Sequence, residues 1–524
     1  MPTPQPPLHQ NWPDGAPEPK VIRVFRPSDG SLVGELAVTP ANDVLPRVAR
    51  ARSVQEGWAS LGHQDRVRRL RGLLNAVGSR ASEIEETIVA ETGKPRAEAL
   101  IEVTTILDLI GFYLRKAPYF LEPKRVSAGW LVWKNASLAR EPLGVVGVIS
   151  PWNYPFILSM TPVITALFGG NAVVLKPSEI TPYCGLLAED LAREGGLPDG
   201  LVQVIIGTGI TGAALVRSGV DKIVFTGGTD TGRKVMANAA ESLTPVVLEL
   251  GGKDAAIVLE DANLERTAKG ILWGAFQNAG QTCISVERVF VVEEILDLFL
   301  RQLLDEARKL RAGSAPGMDV GPMVVPDQLA KVEAQLQEAL ERGGRVLSGG
   351  HRTDPASNVF HPTVLTDVHG ASEVLNEESF GPILPVVRVR DQEEAIRRTN
   401  ESPYGLSASV WTGDRRRGLE VAGRLRVGGV TVNDALVHYG IPGLPFGGVR
   451  DSGFGRTRGL DGLAEMTRTK ATVVDRLGLS REPWWFPYSR VTEMVLWATL
   501  VSRWKRGIRG LALGALALVR RKRG

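Results

Sequence analysis

The chain has 524 residues, 43% of them hydrophobic and 23% charged, the make-up of a globular protein too long for one compact core. Its two cysteines, Cys184 and Cys283, exclude a disulfide framework and point to a reducing compartment, and its six scattered histidines show no metal-ligand spacing. The net charge of +4 belongs to the tail: eight Lys or Arg and no acid follow Ser502, which leaves the preceding 502 residues at −4 and gives the body no basic face for nucleic acid.

The first nineteen residues hold seven prolines and no apolar run, so the start reads as a disordered leader and not as a signal peptide. From about residue 43 to 120 apolar residues recur at three- and four-residue spacing, which predicts helices whose Arg-rich faces are solvated. Short apolar, β-branched runs follow at 143–151, 171–178, 201–207, 222–228 and 245–252, with helical patterns between several of them. A second series places strands at 288–292, 360–368, 383–389, 405–412 and 428–434, with helices to about Arg311, from Pro326 to Arg342 and from Asp391 to Thr399. Continuous apolar strands alternating with helices predict parallel sheets covered on both faces: two doubly wound α/β units in tandem, with a ligand cleft beyond the carboxyl ends of the strands.

Several strand ends carry chemistry. Gly207, Gly209 and Gly212 form a G-x-G-x-x-G between a strand and a helix, a weak dinucleotide signal taken alone. "VVLKPSE" sets Lys176, Ser178 and Glu179 past one strand, where an ammonium and a carboxylate can take ribose hydroxyls. "FTGGTDTGR" sets Gly227, Gly228 and Gly232 past another, at a helix start whose free N–H groups favour a pyrophosphate. Asn153 in "SPWNYPF" is either a helix cap or a functional amide. Glu249 in "LELGGKD" stands on an apolar strand, where burial would raise its pKa toward that of a general base, or where a partner would neutralise it. Cys283 in "NAGQTCISVE" sits among small and polar residues, as in an exposed loop, and is either a quiet thiol or a nucleophile.

Seven segments in this order, "SPWNYPF", "KPSE", "FTGGTDTGR", "LELGGKD", "NAGQTC", "EESFGPILPV" and "PFGGVRDSGFGR", resemble the NAD(P)-dependent aldehyde dehydrogenase superfamily over about residues 20–480. Two of the stretches look nearest to the branches that act on medium- and long-chain (fatty) or aromatic aldehydes. The resemblance implies an α/β aldehyde dehydrogenase-like fold with two doubly wound domains and a β-hairpin oligomerisation arm. It implies an NAD-binding domain (21–126 and 145–250), a catalytic domain (251–440) and an arm with a late strand (127–144 and 441–482), between the leader (1–20) and an amphipathic basic tail (483–524) that composition sets apart. It assigns Cys283 as nucleophile, Asn153 with the Cys283 N–H as oxyanion donors and Glu249 as the base that activates water. It places the cofactor against Ile149, Ser150, Pro151, Trp152, Lys176, Ser178, Glu179, Gly209, Gly212, Phe225, Gly227, Gly228, Leu250, Glu378 and Phe380. Glu179 favours NAD, with NADP left open, and Gly228 stands where a serine is usual. Pocket candidates are Tyr154, Leu158, Thr161, Ile284, His438 and Tyr439, mostly apolar, with no arginine suited to a substrate carboxylate. The implied reaction is oxidation of an apolar aldehyde by a homodimer or homotetramer. A semialdehyde dehydrogenase, and a non-catalytic membrane-associated protein retaining the fold, are the alternatives.

Beyond the resemblance, Val491–Val501 and Leu511–Val519 are apolar but too short to span a bilayer. With Trp484, Trp485, Trp497, Trp504 and the basic cluster they suit a membrane interface on the cytoplasmic side, against packing on the body or on a partner subunit of a cytoplasmic enzyme. Gly510 and Gly514 form a G-x-x-x-G too short to argue helix pairing.

Overall fold

The computed structural model describes residues 18–482 and 484–504. The expected leader up to residue 17, and the basic end from 505 with Gly510, Gly514 and Leu511–Val519, lie outside the described residues. The described residues divide into two compact units: residues 18–121 with 141–468, and residues 122–140 with 469–504.

The larger unit holds two mainly parallel sheets. In the six-stranded sheet the order is Gly453–Phe454, Val246–Glu249, Lys222–Thr226, Val145–Ile149, Ala172–Lys176 and Val202–Val204, with only Gly453–Phe454 antiparallel to its neighbour. The first strand in sequence, Val145–Ile149, lies inside the sheet, with later strands added on either side of it. That reversal opens a crevice at the carboxyl ends. The paired residues Ile149 with Lys176 and Ile149 with Phe225 mark this edge. The inner strands Val145–Ile149, Ala172–Lys176 and Lys222–Thr226 are buried along nearly their whole length, as continuous Val and Ile runs require when helices cover both sides, while Phe454 on the edge strand is exposed.

The second sheet has seven strands, ordered Arg345–Ser348, Thr363–Thr366, Ile383–Val389, Val286–Val292, Asp254–Val258, Ser407–Trp411 and Gly429–Val432, antiparallel only at the Arg345–Ser348 edge. Two of its strands, Asp254–Val258 and Arg345–Ser348, do not stand out in the sequence: the first is masked by the glycines before it and the second is short and half-polar. Each sheet carries its own apolar core.

The helices Ala41–Ser60, His63–Ser79, Ala81–Thr92 and Arg96–Leu121 fill the predicted helical region. Arg50 and Arg68 are solvated there as expected. Arg66 is buried instead, its guanidinium donating to the carbonyls of Leu61 (2.5 Å) and Ala59 (3.2 Å).

In the smaller unit, Lys124–Val126 pairs antiparallel with the Lys134–Pro142 strand, whose other neighbour is Thr467–Asp475. Trp130, Trp133 and Trp484 pack together with ring centroids 5.3–6.1 Å apart. Lys134 bonds to Asp475 (2.7 Å) and to Glu482 beside them. The first apolar stretch of the tail forms the helix Arg490–Trp504. Among the described residues no helix is long and apolar enough to cross a membrane.

Candidate active site

Cys283 follows a turn of unusual backbone. Asn278 and Ala279 both have φ near 54°, and Gly280 has φ 72° with a Gly381 carbonyl oxygen 2.2 Å from where a Cβ would stand. Only glycine fits there. The expectation of an exposed loop is wrong: Gln277 to Thr282 are buried and Cys283 is half-buried. The polar groups of the turn are satisfied internally, which lets so polar a segment leave solvent. Gln281 donates to Asn278 O (2.8 Å) and accepts from Val324 N (2.8 Å), while Asn278 N donates to both carboxylate oxygens of Glu98 (3.0 and 3.1 Å).

Asn153 does not cap the following helix, Pro155–Gly169, whose capping position is Tyr154. Its Nδ2 donates to Gln281 O at 3.0 Å. A primary amide has two N–H bonds, so one anchors the side chain and the other is free for an oxyanion at Cys283.

Glu249 ends its strand inside the same cavity. Burial pushes its carboxyl up to about 7, against the hydrogen bond from Thr457 Oγ1 (2.6 Å) and the charges of Arg456 and Arg458. Burial pushes the Cys283 thiol far above its ordinary range, with the Glu249, Asp254 and Glu378 carboxylates adding to the effect. The thiol is therefore protonated in this state and needs a proton acceptor or a nearby positive charge to become nucleophilic.

These groups share one cavity of about 180 Å³, lined by Pro151, Trp152, Asn153, Leu158, Thr226, Gly227, Gly228, Glu249, Leu250, Gly251, Cys283, Gln328, Glu378 and Phe380. The structure thus brings together the catalytic candidates and seven of the fifteen cofactor candidates. Glu378 accepts from Gly252 N (3.1 Å), and a Cβ at Gly251 would lie 2.6 Å from its carboxylate. Phe380, at φ 51°, meets the Trp152 ring edge-on at 5.5 Å and is held by Glu287, which accepts from Ser379 N and Phe380 N, both at 2.8 Å. Glu287 in turn pairs with the buried Lys253 (2.6 Å). Further along the sheet edge Lys176 pairs with Glu179 at 2.9 Å, and a Cβ at Gly212 would lie 3.9 Å from the Ile149 and Lys176 side chains. Burial, the largest single influence, works against ionisation of Glu179, but the Lys176 charge together with hydrogen bonds from Lys176 and the main chain holds the carboxyl below its usual range. Gly209 opens the helix Gly209–Arg217, Phe225 packs beneath Gly227, and Ser178 is buried. Ser150 is turned away, its hydroxyl 2.8 Å from Ser159.

A second cavity, of about 230 Å³, reaches Cys283 from another side. Tyr154, Leu158, Ile284 and Tyr439 line it, with Trp273 and Val437 at its exposed end. Thr161 and His438 are buried but belong to the lining of neither cavity. His438 stacks on Phe446, and burial with the Arg458 charge pulls its imidazole down to about 4.

Cys283 is a wall of both cavities. A thiol with a glycine-lined, carboxylate-bearing chamber on one side and an apolar one on the other can meet two different ligands at once. The Aldehyde dehydrogenase family model matches residues 12–472. The chain belongs to the aldehyde dehydrogenase family. It is 44% identical over 471 residues to 4,4'-diapolycopene aldehyde oxidase of Methylomonas sp, covering 89% of this chain and 88% of that one. A Mycobacterium ulcerans (strain Agy99) protein that carries a provisional succinate-semialdehyde dehydrogenase (NADP+) name is 36% identical over 468 residues, covering 88% and 90%. The crystal structure of a Mycobacterium tuberculosis aldehyde dehydrogenase complexed with NAD+ matches with a TM-score of 0.84 at 31% identity, covering 88% of this chain and 96% of that one. As a member of this family the protein is an NAD(P)-dependent oxidoreductase, and among the described residues no cluster of potential metal ligands occurs.

The residues that the sequence does not reveal are those that hold the site: Lys94, Glu98, Glu102, Asn278, Lys253, Glu287 and Thr457. Each reads locally as helix surface or loop, and its role depends on a partner far along the chain.

Proposed function

We propose that the protein oxidises an apolar aliphatic or aromatic aldehyde to the carboxylic acid with NAD(P)+, through a thioester on Cys283. The observation that carries this reading is the position of Cys283 in the wall between the two cavities. After its proton has passed to water, Cys283 Sγ bonds to the aldehyde carbon, and the carbonyl oxygen becomes an oxyanion held by the free Asn153 N–H and the Cys283 main-chain N–H. Bound NAD(P)+ supplies the hydride acceptor. Glu249 takes a proton from a water whose oxygen attacks the thioester carbon, and the Cys283–carbon bond breaks to release the acid. Glu378 and Phe380 suit the nicotinamide end, Gly227 and Gly228 the pyrophosphate, and Lys176 with Glu179 the adenosine ribose. The ionised Glu179 favours NAD over NADP, whose extra phosphate it repels.

The substrate cavity supports an apolar aldehyde over a semialdehyde acid. Its only charged lining residue is Glu102, already paired with Lys94 at 2.7 Å, so the lining offers no cation to a second carboxylate. The name of the Methylomonas relative points the same way. NADH formation across an aldehyde series, from short aliphatic to long-chain and including succinic semialdehyde, tests the reading. Rates that rise with apolar length and vanish in Cys283→Ala support it; preference for succinic semialdehyde overturns it.

The tail supports association with an anionic membrane surface on the cytoplasmic side. Trp485, Phe486, Tyr488, Val491 and Leu500 are exposed, and the sequence that follows is strongly basic. The full chain should sediment with anionic vesicles and a chain ending at Pro487 should not; equal sedimentation of both would refute this role. The hairpin arm supports a homodimer or homotetramer, which light scattering tests directly. The five-part division of the chain given above, with its separate NAD-binding and catalytic domains, is the organisation proposed here.

A further inference from the structure

An oxyanion donor works only if it is held to a fraction of an ångström, and Asn153 lies in a loop. The residues that hold it come from elsewhere in the chain. Lys94 is buried just beyond the helix Ala81–Thr92, and its Nζ donates to the main-chain carbonyl of Asn153 at 2.8 Å and to Glu102 at 2.7 Å. It stands 4.0 Å over the ring of Tyr154, the next residue. The two hydrogen bonds and the ring face occupy the three directions of an ammonium group. Glu102 uses its other oxygen to accept from Phe156 N (3.1 Å) and Ile157 N (3.0 Å), the first turn of the helix that follows Asn153. A second donor, Asn278 Nδ2, reaches the same Asn153 carbonyl at 2.9 Å.

Asn153 is therefore fixed at both ends. Its carbonyl is gripped by Lys94 and Asn278, and the helix after it is tied through Glu102 to the same ammonium. Asn278 also donates to Gln281 O (3.1 Å), the acceptor that anchors the Asn153 side chain. One small network thus sets the oxyanion amide against the turn that carries Cys283. A buried ion pair is a poor source of net stability, since desolvation offsets most of the attraction, so geometry is the more economical reason for its place here.

We propose that Lys94 is a positioning residue for Asn153, acting with Asn278 to aim the side-chain amide at the oxyanion of the Cys283 adduct. The inference rests on Asn153 as the oxyanion donor, and the test separates the two. Asn153→Ala alone examines the donor: unchanged NADH formation in that variant would remove the underlying role. The positioning role is read from double-mutant cycles at saturating NAD and aldehyde. Lys94→Met should lower kcat by roughly 10- to 100-fold in the native background and by no more than about twofold when Asn153 is already alanine, because an aimed group that is absent cannot be misaimed. The KM for NAD should stay unchanged. Asn278→Gly, which removes the other donor without straining a left-handed backbone, should show the same loss of effect in the Asn153→Ala background, and it decides the matter if Lys94→Met does not fold. Losses that multiply with that of Asn153→Ala would overturn the proposal and leave the network a merely structural one.

Discussion

Replacing Thr457 by valine isolates what sets the basicity of Glu249. The carboxyl is buried and sits up at about 7, with the Thr457 hydroxyl at 2.6 Å as the foremost influence holding it down. A hydrogen bond to an ionised acceptor contributes about 1.5–3 kcal/mol. One pH unit corresponds to about 1.36 kcal/mol, so losing this bond should raise the Glu249 pKa by roughly one to two units. The base acts only when deprotonated, so hydrolysis of the thioester rises with pH through this pKa and then levels off. The decay of the acyl-enzyme, followed in a quenched single turnover across pH, should show a limb near 7 in the native protein. In Thr457→Val the limb should move to about 8–9, with the plateau largely recovered above it. An unchanged limb, or a loss equal at every pH, would refute the assignment of Glu249 as the base tuned by Thr457.

Asn153→Ala keeps the main-chain carbonyl that Lys94 grips, so the fold should survive while kcat falls about 10²- to 10³-fold, measured by steady-state NADH formation beside a melting curve. Glu179→Gln removes a carboxylate held ionised beside Lys176, and the ratio of NADP to NAD efficiency should rise by roughly 10- to 100-fold in a two-cofactor kinetic comparison. Glu91 and Glu98 are both raised to about 7, chiefly by burial. The folded state therefore holds their protons more tightly than the unfolded chain, and the stability this contributes is present below the ordinary carboxylate range and lost as pH rises through 7. Scanning calorimetry should accordingly show a melting temperature that falls between about pH 5 and 8; a rise would contradict the sign.

The sheets are legible in the sequence because their strands are buried on both faces and so read as unbroken β-branched runs, each closed by glycine, proline or a polar residue. Asp254–Val258 is the instructive exception. It is a central strand, but it begins on Asp254, whose carboxylate is used inside the fold to accept from Ser407 N at 2.9 Å. The proposed catalytic set is legible for a different reason: Cys283, Glu249 and Asn153 stand in motifs that resemble a known family. What surrounds them is not legible. Glu98 and Glu102 on their helix look like the charged faces of any surface helix, and only the fold reveals that they face Asn278 and the start of another helix. The exposed look of "NAGQTC" misleads for the same cause, since its polar groups are satisfied by partners that local sequence cannot name.

The central claim, a Cys283 thioester between two cavities, is tested most directly by trapping it. Glu249→Gln should acylate but fail to hydrolyse. Incubated with NAD+ and a long apolar aldehyde and then digested for mass spectrometry, it should carry on the Cys283 peptide an adduct lighter than the aldehyde by one hydride and one proton. An unmodified Cys283 under conditions where the native enzyme forms NADH, or an adduct confined to Cys184 or another residue, would contradict the account.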